Sequence, residues 1–143
     1  MKTNQAGIDL IKQWEGFRSK AYLCPADVWT IGYGHTQGVK PDDTITEPDA
    51  AALLIKELSA YEDCINSTVK VSLNANQFSA LVSFCYNVGI SSFANSTLLK
   101  MLNRKDYSSA GQQLLVWNKV KGQTMPGLTR RRKDEKALFE LPV

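Results

Sequence analysis

WEGFRSKAYLCPADVWTIGYGHT, residues 14–36, is the stretch whose reading decides the fold. Glu15 stands before a glycine at the end of an apolar-periodic segment, and Cys24, Asp27, Thr30 and the only histidine, His35, follow closely. Upstream, Asn4 is placed to cap a helix over residues 5–15, and Gly16 to end it as a C′ glycine. Downstream, KAYLC and VWTIGYGH read as two strands of a hairpin about a Pro-Ala-Asp turn at 25–27. A three-residue turn sets Cys24 opposite Val28 and Tyr22 opposite Thr30. Alternation then puts Thr30, Gly32 and Gly34 on one face with Cys24, and Trp29, Ile31, Tyr33 and His35 on the other.

On the first helix, Glu15 falls on the arc shared by Ile8, Ile11, Leu10 and Trp14, while Asp9, Lys12 and Gln13 form the polar side. A carboxylate on a core-facing arc is costly unless paired or protonated. Read structurally, it is half of a salt bridge to an arginine. Read chemically, burial and the negative end of the helix dipole both disfavour its anion, which leaves an acid able to give a proton. Two glycines in a strand have a reason: either a ligand lies close to the backbone or a helix packs tightly there. A face bearing Gly32, with Thr30 and Cys24 at its edge, suits a sugar. Asp27 belongs to the turn by residue type, and His35 reads as a hydrogen-bonded structural histidine, since no cluster of metal ligands accompanies it.

The rest reads as helix. TEPD, residues 46–49, is a capping box opening a long helix of about 48–66 with Leu54, Leu58, Tyr61 and Ile65 on one face. NANQ, residues 74–77, starts a helix carrying Phe78, Leu81, Val82 and Cys85 and stopped by Gly89. Shorter helices follow near 96–103, 107–118 and 128–140, the last after a loop KGQTMPG. The fold class is α+β, mostly helical, with a small β-hairpin region near the N-terminus.

The chain has 143 residues, 43% apolar and 22% charged, which are the proportions of an ordinary globular domain. It offers no stretch for a membrane helix and no signal peptide, so synthesis and folding in a cytoplasm are expected. Cys24, Cys64 and Cys85 form neither a metal-binding spacing nor a disulfide framework, and Cys64 and Cys85 read as buried thiols. From Lys119 onward seven basic residues meet three acidic ones, within a net charge of +3 for the whole chain. That favours an anionic partner such as nucleic acid, membrane or an acidic wall polymer. In TRRRKDEK, Asp134 and Glu135 read as same-helix salt-bridge partners on a solvated face.

Glu15, eight residues, Cys24, five residues, Thr30 resembles the E-x8-[D/C]-x5-T signature of bacteriophage lysozymes, glycoside hydrolase family 24. QFSALVSFCYNVG, FANSTLLKMLN, Trp117 and GLTRRRKDEKALF are similar to later segments of the same family, so the likeness runs from Asn4 to about Phe139. The resemblance implies a single lysozyme-like domain over residues 1–143. Its parts would be an N-terminal lobe of about 14–50, a linking helix of about 48–66 and a helical lobe of about 67–143. The helix at 5–15 would pack near a substrate cleft between the lobes. It implies a muramidase that hydrolyses the β-1,4 bond between N-acetylmuramic acid and N-acetylglucosamine for host lysis, with no cofactor and no metal. The implied partner is the peptidoglycan glycan strand, with no nucleic acid and no stable membrane anchoring. The implied form is a monomer kept in the host cytoplasm until a holin releases it.

By the same resemblance Glu15, Cys24 and Thr30 are catalytic and Asn87 contacts saccharide, while the strand reading adds Gly32 as a saccharide contact and His35 as a supporting residue. One of Arg130, Arg131 or Arg132 is placed to approach Glu15. Cysteine stands where many members have aspartate. A mostly neutral thiol is a poor base, so Cys24 and Thr30 are expected to position water while Glu15 supplies most of the catalysis. Asp27 is the candidate substitute carboxylate. Three rivals remain: a lytic transglycosylase on the same bond, an amidase or peptidase using Cys24 with His35, and a non-catalytic cell-wall binding module.

Overall fold

A computed structural model describes residues 1–143. The elements, in order, are α1 (Gln5–Glu15), β1 (Arg18–Leu23), β2 (Trp29–Gly32), α2 (Glu47–Thr68), α3 (Ala75–Val88), α4 (Ile90–Ala94), α5 (Thr97–Asn103), α6 (Tyr107–Leu114), β3 (Lys119–Val120), β4 (Gln123–Thr124) and α7 (Pro126–Glu140). They form two compact units, Ile11–Ser59 and a helical unit of Met1–Leu10 with Ala60–Val143. The division falls inside α1 and α2.

In Ile11–Ser59, β1 and β2 pair antiparallel with Tyr22 opposite Thr30 and Leu23 opposite Trp29, the register expected from the turn. An irregularity between Arg18 and Tyr22 shifts the far end. The other edge of β1 is covered by the incoming loop. Ala21 N–H donates to Asp43 O at 2.9 Å and Ile45 N–H donates to Ser19 O at 2.8 Å, which leaves no bare strand edge there. Ile11, Ile31, Tyr33, Ala50, Leu54 and Leu58 are buried in this unit.

The second strand is shorter than its alternation suggests. It ends at Gly32, and the chain folds back so that Ile31 and His35 exchange backbone hydrogen bonds of 2.9 Å each. Gly32 at φ +64° and Gly34 at φ +84° make that reversal possible. Gly32 is also buried, and a Cβ there would lie 3.2 Å from Ala50 Cβ on α2. Tight packing against a helix therefore explains this glycine, and its expected place on a bare sugar-binding face is corrected. Gly32→Ala costs about 1–2 kcal/mol from the left-handed backbone alone. Denaturant unfolding checks this.

In the helical unit α3 is the core. Residues 78–85 are all buried, with Ser79 and Ser83 among the apolar side chains. Its start, where NANQ reads as a capping signal, is a full capping box: Asn74 Oδ1 accepts from Gln77 N–H at 2.7 Å, and Gln77 Oε1 accepts from Asn74 N–H at 2.9 Å. Phe84 packs edge-on against Phe93 and Trp117. The N-terminus is tied to this unit. Glu62 accepts from Thr3 N–H at 2.8 Å and Thr3 Oγ1 at 2.6 Å, and Asn4 N–H donates to Ser79 Oγ at 2.9 Å. Two elements escape the sequence reading: the short α4, and the β3–β4 hairpin that lies partly within what reads as a loop. No helix is long and apolar enough to cross a membrane.

Candidate active site

Glu15 is the last residue of α1, and Gly16 ends the helix at φ +71° with its N–H donating to Lys12 O at 2.9 Å. The final turn is anchored within its own unit. Lys12 Nζ lies 3.7 Å from Glu47 Oε2 at the start of α2 and 5.6 Å from the centre of the Tyr33 ring. Tyr33 donates its hydroxyl to the same Glu47 oxygen at 2.6 Å. That bond to Glu47, with burial, pushes the Tyr33 phenol up to about 12. These contacts fix the direction from which Glu15 leaves the helix. Glu15 itself is half-buried, more open than the apolar enclosure expected from its helical arc.

Cys24 and Thr30 are brought together at the turn end of the hairpin. Cys24 N–H donates to Val28 O at 3.0 Å, and Thr30 Oγ1 donates to the same carbonyl at 3.0 Å, with Thr30 only 5% exposed. The backbone N–H groups of Val28 and then Ala26 hold the Cys24 thiol below its ordinary range. The Thr30 hydroxyl adds to this, while some burial and the Asp27 charge oppose it. Cys24 thus has more thiolate character than its residue type alone suggests. Asp27 occupies the turn at φ +60°, exposed, with its N–H donating to Cys24 O at 2.8 Å. Its backbone position accounts for an aspartate there.

His35 Nδ1 meets Glu57 Oε1 at 2.9 Å, both partly buried. Its partner is a carboxylate on α2 rather than Cys24, which counts against a Cys–His nucleophilic pair. Cys64 and Cys85 are buried free thiols, and burial together with Cys64 pushes Cys85 up to about 12. Iodoacetamide at neutral pH is therefore expected to label Cys24 and to spare Cys64 and Cys85 until the chain is unfolded. Peptide mapping reads the outcome. No group of His, Cys, Asp and Glu is placed to hold a metal ion.

Asn87 lies in the helical unit, exposed on the last turn of α3, and accepts a hydrogen bond from Arg132 Nη2 at its Oδ1. Here the sequence reading needs its largest correction. Asp134 and Glu135 were expected to sit with the arginines on a solvated face. Instead Arg131 is 4% exposed, and Arg132 and Glu135 are wholly buried. The same-helix pairing itself holds for Glu135. Arg131 Nε donates to Glu135 Oε2 at 3.2 Å, and Arg132 Nη1 lies 2.9 Å from Glu135 Oε1. Ser83 of α3 adds a 2.6 Å hydrogen bond to Glu135 Oε2, and Arg131 Nη2 donates to Ser83 O at 3.2 Å. Burial pushes the Glu135 carboxyl up, and Arg132 and then Arg131 oppose it. The available signal was spacing: Ser83 and Asn87 share one face of α3, as Arg131, Arg132 and Glu135 share one face of α7.

Set beside known proteins, residues 12–135 match a family model described as phage lysozyme. An endolysin of Acyrthosiphon pisum secondary endosymbiont phage 1 is 43% identical over 98% of this chain and 99% of its own length. An endolysin of Salmonella phage P22 is 42% identical over 97% and 98%. Among solved structures, the muramidase domain of SpmX from Asticaccaulis excentricus superposes with a TM-score of 0.94 at 40% identity, covering 99% of each chain.

Proposed function

The chain belongs to the phage lysozyme family, and from that premise we propose that it is a peptidoglycan-degrading muramidase used in host lysis. The likeness along nearly its whole length to endolysins and to a muramidase domain carries this reading. The bond cut is the β-1,4 link between N-acetylmuramic acid and N-acetylglucosamine.

Cleavage passes through an oxocarbenium-like transition state and needs a proton on the leaving oxygen and a water, or a nucleophile, at the anomeric carbon. Glu15 gives the proton. Its seat at the end of α1, stiffened by the Lys12–Glu47–Tyr33 contacts, supports that role. Cys24 and Thr30 hold the water. The N–H groups that favour negative charge on Cys24 let the sulfur accept from that water, and Thr30 is held by Val28 O so that its position is fixed. Asn87 contacts the glycan, and His35 with Glu57 braces the segment after β2. Release by a holin, residence in the host cytoplasm until lysis and action as an unanchored monomer belong to the same proposal.

One experiment tests the reading as a whole. Cells with a matching wall that express the chain alone should stay intact. They should lyse within minutes once chloroform opens the inner membrane, and purified sacculi should clear on addition of the protein. Sacculi that remain turbid overturn the muramidase assignment. Lysis before chloroform overturns the holin-dependent route alone.

A further inference from the structure

Arg132 is a buried cation with an incomplete set of partners. Arg131 and Arg132 both contact the carboxylate of Glu135, so Arg132 shares that counter-charge rather than holding it alone. Arg132 Nε makes no hydrogen bond, and its Nη1 meets Glu135 as an ion-pair contact without hydrogen-bond geometry. Its hydrogen bond is the one from Nη2 to Asn87 Oδ1. The guanidinium also lies 5.0 Å from the centre of the Phe84 ring, so a carboxylate and an aromatic face hold the plane in place. Arginine has donors and no acceptors, which leaves Asn87 one way to turn its amide: oxygen inward. Asn87 is exposed, so its NH2 group is presented to solvent.

We propose that Arg132 is a positioning residue for glycan binding: from inside the helical unit it locks the Asn87 amide with its N–H donors outward, toward an acceptor oxygen of an N-acetylated glycan. This rests on the muramidase reading and on Asn87 as a saccharide contact. A free asparagine amide flips and presents donor and acceptor alike. A locked one presents donors only, and binding no longer bears the cost of ordering it. The effect is therefore one of binding, and it passes through Asn87.

The test uses the full-length chain and soluble, uncross-linked peptidoglycan glycan, comparing wild type with Asn87→Ala, Arg132→Met, the double variant and Asn87→Asp. Arg132→Met keeps an unbranched apolar stem in the buried site and leaves the Arg131–Glu135 contact in place, so the fold is expected to persist, and circular dichroism checks it. Each single neutral replacement is expected to raise KM by about tenfold, as loss of one ordered hydrogen bond does, with the loss in KM rather than kcat. The double variant should be no worse than Asn87→Ala alone, because Arg132 acts only through Asn87. Asn87→Asp still accepts from Arg132 and offers no N–H. It should melt at or above the wild-type temperature while KM rises, and it keeps the test decisive if Arg132→Met fails to fold. A wild-type KM in Arg132→Met beside a raised one in Asn87→Ala, or effects that multiply in the double variant, overturn the positioning role. A wild-type KM in Asn87→Ala or Asn87→Asp overturns the saccharide contact, and the positioning role with it. A wild-type chain that does not cleave the glycan overturns the muramidase reading itself.

Discussion

Glu15→Gln abolishes lysis of sacculi while leaving the fold intact, with kcat lowered by about 10²–10⁴-fold, the usual contribution of a positioned general acid. Glutamine keeps the size and hydrogen-bonding capacity of the side chain but has no proton to give. The helix end is held by Gly16 and by Lys12 against Glu47, so neither contact depends on the carboxyl group. Rates on purified sacculi, with circular dichroism on the same samples, check both halves. A variant that keeps a tenth or more of the wild-type rate removes Glu15 from the proton-donating role. In that case a hydroxyl-bearing residue or a second carboxylate has to supply the proton.

Glu135→Ala has the largest expected effect on stability. Its removal takes from the buried Arg131 and Arg132 guanidinium groups the carboxylate that both contact, and from the Ser83 hydroxyl its 2.6 Å acceptor. Breaking a buried ion pair by deleting one partner costs about 3–5 kcal/mol, which for a chain of this size lowers Tm by roughly 10–15 °C. Differential scanning calorimetry reads the shift. A drop of only a degree or two contradicts the buried, charge-sharing arrangement. Arg132→Met is expected to be milder than Glu135→Ala, because it removes one buried cation and leaves the Arg131–Glu135 contact in place.

The elements that could be read from sequence are those whose signals are local. Asn4 Oδ1 accepts from Gly7 N–H at 2.9 Å, and Asn74 pairs with Gln77, each a cap spelled out within four residues. The register of β1 and β2 followed from the length of one turn. The reversal after Gly32 did not, because alternation along GYGH continues on paper while two positive-φ glycines end the strand in space. The β3–β4 hairpin carries its own short signal, Lys121 at φ +50° and Gly122 at φ +79°, a two-residue turn of the kind that favours residue-glycine pairs. Cys24 shows a different limit. Its shift comes from backbone N–H groups of Val28 and Ala26, which no residue type announces. The arginine cluster was hidden by composition, since a run of charges is read as solvated unless the neighbouring helix is known to offer Ser83 and Asn87.

The most direct measurement is mass spectrometry of the fragments released from purified peptidoglycan digested in ¹⁸O-water. Hydrolysis with Glu15 as proton donor predicts reducing N-acetylmuramic acid ends carrying one ¹⁸O with wild type, and none above background with Glu15→Gln. Anhydro-muramic ends, fragments cut only at peptide bonds, or labelled reducing ends at an undiminished rate with Glu15→Gln would contradict it.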